Sequence, residues 1–399
     1  MSCPGPSPIH TFAALPRELI TLLAPRRTPA VSSPIGNSNS AISIYPSTGF
    51  RTLSNKNYIS YVGTLKPDIA VGLADVSHGL KPGVKRVAKM ADRTQDWVTQ
   101  LLAEKRDGQA IFAPVLSIDF LDQWEYINAI SDELAEDLSG LAFYDSNLLP
   151  DIPAATWISK LPRLSLDEPT SPSHILRQIS LGMDIFTIPF ISFATDAGIA
   201  LTFRFPQPLP ATTPSSGGGA TPSSDETTPS NGNGTSTLPL GTDMWPKTHA
   251  TSLIPISTAC NCYTCTTHHR AFIQHLLAAK EMLGWALIQI HNHHILSEFF
   301  TAVRKSIASE TFEADCAEFN RVYEAELPEK SGQGPRVRGY HFKSEGPSEP
   351  KKNKKAWGKV GAENVDVEER GEGGDIEPDE LATELEEKGF AERLKIVET

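Results

Sequence analysis

No apolar run in this chain approaches the roughly 20 residues that a membrane-spanning helix needs, so the sequence gives no reason to expect a bilayer crossing. Cysteine is also scarce, at five in 399 residues. An odd, small total fits a reducing compartment better than a disulfide scaffold. The opening Met1–His10 lacks the basic and apolar regions of a secretory leader, which points to a cytoplasmic chain. Hydrophobic residues make up 39%, low for this length, so part of the chain is expected to stay outside any core. The net charge of −12 argues against a surface that is a nucleic-acid sleeve throughout. The acids concentrate after Ala362, however, and leave the rest of the chain nearer neutrality.

Three of the five cysteines stand together as Cys260-Asn-Cys262-Tyr-Thr-Cys265, and His291 follows downstream. Three thiols and one imidazole make a full tetrahedral set for zinc, and Cys₃His is a common closed structural site. Cysteines this close are poor disulfide partners, so the bland alternative is a trio of free structural thiols. Ala271–Ile290 carries apolar residues at helical spacing with no proline and predicts one helix that brings His291 back to the turn. His268, His269, His293 and His294 compete for the fourth position, and the fixed helical distance favours His291.

Upstream, short apolar runs alternate with helical patterns. Strands are predicted over Ile69–Leu73, Ile111–Ile118, Gly140–Tyr144, Arg163–Leu166 and Met183–Phe186. Helices are predicted over Val84–Leu102, Phe120–Leu138, a stretch ending at Trp157, and His174–Leu181. Repeated βα units imply an α/β chain with a parallel sheet, either doubly wound or barrel-like. Asp75, Asp119, Asp145 and Asp167 each follow a predicted strand, as helix caps or as carboxylates lining a rim. Before these units, residues 1–40 read as a loose segment, and only Ala41–Tyr45 offers an earlier strand. The units occupy 41–206, a Ser/Thr/Pro/Gly linker 207–250, the cysteine segment with its closing helices 251–330, and a charged tail 331–399. Linker and tail are expected to be disordered. Within the tail lie a basic knot at Lys351, Lys352, Lys354 and Lys355 and a short helical pattern over Asp379–Lys395.

The cysteine run with Tyr263, then His268-His269-Arg270-Ala271-Phe272-Ile273 and Ile290-His291-Asn292, resembles the C-terminal part of tRNA-guanine transglycosylases. Gly182-Met-Asp184-Ile-Phe186, Gly198-Ile-Ala-Leu-Thr202-Phe203 and Lys66-Pro67-Asp68-Ile69 through Asp75 are similar to the accessory, non-catalytic branch of that family. With gaps, the resemblance runs from about Ala41 to Ile307.

The resemblance implies a TIM (β/α)₈-type barrel, here incomplete at its N-terminus, with a C-terminal Cys₃His zinc subdomain. It implies a partner as well: a catalytic queuine tRNA-ribosyltransferase subunit with which the chain pairs to serve tRNA, replacing guanine by queuine at the anticodon wobble position. Catalytic members follow the strand ending at Phe186 with a nucleophilic Asp, where this chain has Thr187. Their D-S-G-G-F-Q motif is absent, and Ala142–Asn147 stands where their glycine-rich floor would be. Asp75 falls where they keep a base-contacting Asp, and Asp184 reads as structural.

Two readings follow. The first is a catalytically silent subunit, pairing through Phe272, Leu276, Leu277, Phe299 and Phe300, unless these pack within the chain. Arg270, Lys280, Arg304 and Lys305 would be its tRNA contacts, unless they are ordinary solvated charges. The second is an active transferase or hydrolase using Asp75, Asp119 and Asp145. The family resemblance also admits peripheral association with mitochondria.

Overall fold

A computed structural model describes residues 7–25, 30–31, 33, 36–46, 49–77, 82–152, 160–206 and 237–335. The linker's 207–236, the basic knot, the Asp379–Lys395 pattern and the expected end of the helix near Trp157 lie outside the described residues.

The chain opens with α1 (Pro8–Ala13), a short strand β1 (Leu22–Leu23), and a hairpin of β2 (Ala41–Ile44) and β3 (Arg51–Ser54) that runs into α2 (Asn55–Leu65). Then β4 (Ile69–Val71), α3 (Val84–Ala103), β5 (Ala110–Val115), α4 (Trp124–Asp132) and β6 (Gly140–Phe143) alternate. A 3₁₀ turn at Ser146–Asp151 leads to β7 (Arg163–Ser165), α5 (Pro172–Leu181), β8 (Ile185–Phe186) and α6 (Phe190–Ala197). After β9 (Ile199–Leu201) and β10 (Gly241–Asp243) the chain is helical: α7 (Tyr263–Thr267), α8 (Arg270–Ala278), α9 (Met282–Ala308) and α10 (Phe312–Val322).

Six strands form one sheet in the order β1-β4-β5-β6-β7-β8, and every neighbouring pair is parallel. A doubly wound sheet reverses its strand order at a switch point. This order never reverses, which is the progression of a barrel wall. Among the described residues no pairing joins β8 back to β1, so the wall is a curled half-barrel of six strands rather than a closed eight. β9 and β10 pair antiparallel as a separate ladder.

Two expectations at the N-terminal side change. Ala41–Ile44 does not enter the wall. It pairs antiparallel with Arg51–Ser54 in its own two-stranded sheet. The wall's first strand is instead Leu22–Leu23, inside the stretch read as loose, registered on Ile69 and Ala70. Asp68 fixes it by accepting bonds from the Thr21 backbone N–H at 2.7 Å and the Thr21 hydroxyl at 2.8 Å.

Side chains alternate across the sheet at period two. Ile111, Ala113 and Val115 of β5 with Leu141 and Phe143 of β6 face the helices, packing on Trp97, Val98, Leu101, Tyr126 and Ile130. Val71, Phe112, Ala142, Leu164 and Leu166 face the other side and fill the interior of the curl. The fit is tight there: a Cβ on Gly140 would lie 2.5 Å from the Phe112 ring, so only glycine is accommodated at that position. The predicted helix Val84–Leu102 forms almost as expected, with Met90, Ala91, Thr94, Trp97, Val98 and Leu101 buried. The predicted Phe120–Leu138 helix is shorter, a 3₁₀ turn at Phe120–Asp122 followed by α4. A second core, built on Phe203, Phe205, Phe299 and Phe319, joins α5, α6 and β9 to α9 and α10.

Candidate functional site

Cys262 stands at the N-cap of α7, and its sulfur accepts the Cys265 backbone N–H at 3.4 Å. This turn puts two sulfurs side by side, and Cys260 approaches from the turn before it, closed by its own N–H on the Ser257 carbonyl at 3.3 Å. The predicted carrier helix is not continuous. It breaks between α8 and α9, where Lys280 takes a left-handed φ of 58°, and His291 lies within α9. The break changes the route but not the result. His291 Nδ1 lies 3.6, 3.5 and 3.4 Å from the sulfurs of Cys260, Cys262 and Cys265.

All four ligand atoms lie within 4.8 Å of one another. A tetrahedral ion about 2.3 Å from sulfur and about 2.05 Å from nitrogen would set S and N about 3.6 Å apart. The donor set therefore fits a metal ion without rearrangement.

His291 is fully buried, and its Nε2 lies 2.8 Å from the Leu201 carbonyl oxygen. A carbonyl only accepts, so Nε2 carries the proton and Nδ1 turns its lone pair toward the three sulfurs. Burial lowers the imidazole pKa to about 4 and pushes the Cys260 thiol up to about 12, with Cys265 raised for the same reason. Burial thus works against charge on His291, Cys260 and Cys265. A divalent ion reverses that preference by stabilising the thiolates.

Three of the rival histidines, His268, His269 and His293, have other neighbours, and His294 is not part of the four-atom group. His269 caps α8 by accepting the Phe272 N–H at 3.1 Å, and His268 stacks on the Phe272 ring. His293 is exposed and lies 3.4 Å from Gln289.

Asn292, beside His291, is a second functional residue that spacing alone did not reveal. Its Oδ1 accepts the Leu201 N–H at 2.8 Å, and its Nδ2 donates to the Ile199 carbonyl and the Thr195 hydroxyl, each at 3.0 Å. Adjacent residues of α9 thus supply the hydrogen bonds that a neighbouring strand would give β9.

The strand ends are organised differently. Asp75 is fully buried and held by Arg86, by Arg93 at 2.8 Å and by the Asn37 side chain at 2.8 Å. The Asp75 backbone N–H donates to Thr94 Oγ1 at 3.1 Å. Asp145 caps its own turn by accepting both the backbone and the side-chain N–H of Asn147. Asp119 is exposed at the N-cap of the 3₁₀ turn, and Asp167 is bound by the Ser146 N–H and hydroxyl. The Thr187 hydroxyl donates to the Asp167 carbonyl at 2.7 Å, and Asp184 accepts the Arg163 N–H at 2.9 Å. Asp75, Asp119 and Asp145 thus stand in three different settings: one clamped by arginines, one exposed and one capping its own turn.

The family model for queuine tRNA-ribosyltransferase matches residues 6–325. The chain belongs to the queuine tRNA-ribosyltransferase family. It is 36% identical over 359 residues to queuine tRNA-ribosyltransferase accessory subunit 2 of Schizosaccharomyces pombe, covering 88% of this chain and 74% of that protein. The protein of the same name from Drosophila melanogaster is 27% identical over 325 residues, covering 76% of this chain and 70% of its own length.

Within the family frame, several expected surface residues prove to be interior. Leu276, Leu277 and Phe299 are buried in the chain's own cores, and Phe300 stacks on Phe186. Of the expected interface residues, Phe272 keeps partial exposure against His268. Arg270 is committed to the carbonyls of Pro255 and Ile256, and Lys280 to Gln333. Among the described residues no helix is long and apolar enough to cross a membrane.

Proposed function

We propose that this chain is the non-catalytic subunit of a heterodimeric queuine tRNA-ribosyltransferase, supporting tRNA binding by a catalytic partner that replaces guanine with queuine at the wobble position. The observation that carries the reading is the 36% identity over 88% of the chain to an accessory subunit. The strand end agrees with it: where the resemblance would put a carboxylate nucleophile stands Thr187, whose hydroxyl is spent on the Asp167 carbonyl. A threonine in that state has neither the charge nor an adjacent base for attack on a sugar carbon. The alternative of an active transferase using rim carboxylates has no such support, since Asp75 is neutralised by two arginines.

Cys260, Cys262, Cys265 and His291 hold a structural zinc in this reading. The ion's contribution is folding free energy, because a closed four-ligand site leaves no position for substrate. The chain works in the cytoplasm, where unpaired thiols persist.

The test is purification of the chain with the catalytic subunit of its own organism, followed by guanine-exchange assays on each protein alone and on the pair. The expected result is a stable complex, no exchange by this chain alone, and tighter tRNA binding by the pair than by either subunit. Exchange by this chain alone, or full activity of the catalytic subunit with no complex on mixing, would refute the proposal.

A further inference from the structure

The charges on α3 run against its own dipole. A helix favours acids in its first turn and bases in its last. α10 obeys, with Glu313 and Asp315 in the first turn and Arg321 in the last, and α9 has Lys305 at its end. α3 has no acid in its first turn, no base in its last turn, and no side-chain cap. Lys85, Arg86 and Lys89 instead crowd its opening turns, while Asp92 and Asp96 come later.

Arg86 and Arg93 have a structural duty, since both bind Asp75. Two guanidinium groups on one carboxylate still leave a surplus positive charge. Lys85 and Lys89 have no such duty. They are exposed, one turn apart on the same face, and neither has a hydrogen-bond or ion-pair partner among the described residues. Like charges at this spacing repel and lower helix stability. Asp92, three residues beyond Lys89, offsets part of that repulsion, while Lys85 has no acid within one turn on the helix.

We infer that Lys85 and Lys89, backed by the surplus charge of Arg86 and Arg93, form a phosphate-binding surface for RNA at the strand-end rim of the half-barrel. This rests on the tRNA-supporting role proposed above and assigns that role to α3 rather than to the helices around the metal corner. Arg304 and Lys305 need no partner to explain them, because the end of α9 favours cations. Two lysines one helical turn apart are placed to neutralise phosphates of one backbone, which releases counterions and makes binding sensitive to salt. Such contacts hold and orient an RNA without reading its sequence.

The test compares Lys85→Gln/Lys89→Gln with Arg304→Gln/Lys305→Gln in the full chain, alone and with the catalytic subunit. Binding of an unmodified tRNA transcript is followed by fluorescence anisotropy from low to high salt. The α3 variant is expected to lose roughly tenfold in affinity near physiological salt, and its log–log salt slope should become shallower by about 2. The α9 variant should bind as the parent does. Removing the misplaced cations should leave the melting temperature of the α3 variant equal or higher, so weaker binding is not a folding defect. Parent-like RNA binding by the α3 variant would overturn the inference. So would lost pairing with the catalytic subunit at unchanged RNA affinity, which would assign this surface to a protein. If the parent chain forms no complex at all, the proposed function fails, yet the comparison of parent and variant chains alone still decides the α3 surface.

Discussion

The strand ends and the metal corner hold similar numbers of reactive side chains and treat them in opposite ways. At the strand ends most candidates are engaged within the chain, Asp75 by two arginines and an asparagine, Thr187 by a carbonyl and Asp145 by its own turn, while Asp119 stays exposed to solvent. At the metal corner four donor atoms converge within 4.8 Å, and the imidazole that completes them is oriented from behind by a carbonyl. Residue type does not separate the two regions, since carboxylates are as capable of chemistry as thiols. What separates them is unfilled bonding capacity. The rim spends most of its capacity on bonds within the chain, while the corner turns its capacity toward one shared centre.

The largest expected effect tests the corner. Replacing Cys262 or His291 by Ala should remove the metal and cost more than about 4 kcal/mol, because structural zinc binding is folding free energy. Metal content per chain and the melting temperature check this, and full occupancy in His291→Ala would refute the ligand set. Stripping the metal should expose a pH window. His291 is depressed to about 4 by burial, so stability of the stripped protein should fall as pH drops from about 6.5 toward 4, where only the unfolded state takes the proton. Cys260 is raised to about 12, so stability should fall again as pH rises from about 9 toward 12.

Breaking the rim should cost slightly less and leave the metal in place. Asp75→Ala strands Arg86 and Arg93 without their counter-charge, an expected loss of about 3–5 kcal/mol in chemical denaturation. A loss below about 1 kcal/mol would mean the cluster is effectively solvated, and the contrast between the regions would weaken. Asn292→Ala sharpens the contrast from the other side. It should cost roughly 2 kcal/mol through the unpaired Leu201 N–H and Ile199 carbonyl, with full metal content retained. The smallest effect belongs to Thr187→Asp. Stability should move by about 1 kcal/mol or less, and no guanine exchange should appear, because the other catalytic parts are missing; measurable exchange would place latent chemistry at the rim.

Much of this was legible in the sequence. Apolar runs located β4, β5, β6, β7 and β8 of the wall, with the far ends of β4 and β5 falling short of their predicted bounds, and the helix from Val84 ended at Ala103, just beyond its prediction. The convergence of Cys260, Cys262, Cys265 and His291 could be read from spacing because the three cysteines are neighbours in sequence, which local structure brings together. Leu22–Leu23 could not be read. Two residues carry no periodicity, and only their register on Ile69 and Ala70 makes them a strand. Ala41–Ile44 misled because alternation looks the same in a hairpin and in a wall. The break before α9 has neither glycine nor proline to announce it, since Lys280 takes the left-handed turn. The arginine clamp on Asp75 left a faint signal, two arginines seven residues apart on one helix face.

The pairing of Asn292 and His291 with β9 has a consequence for how this chain tolerates change over generations. At position 187 the neighbourhood is local: the Thr187 hydroxyl is met by the Asp167 carbonyl of the same strand-end cluster. Position 291 is not local in that sense, because one ring faces the three sulfurs on one edge and Leu201 on the other. Any replacement is judged twice, by two neighbours that cannot compensate for each other. A change at position 187 therefore disturbs one strand end, whereas a change at position 291 disturbs the cysteine cluster and β9 at once.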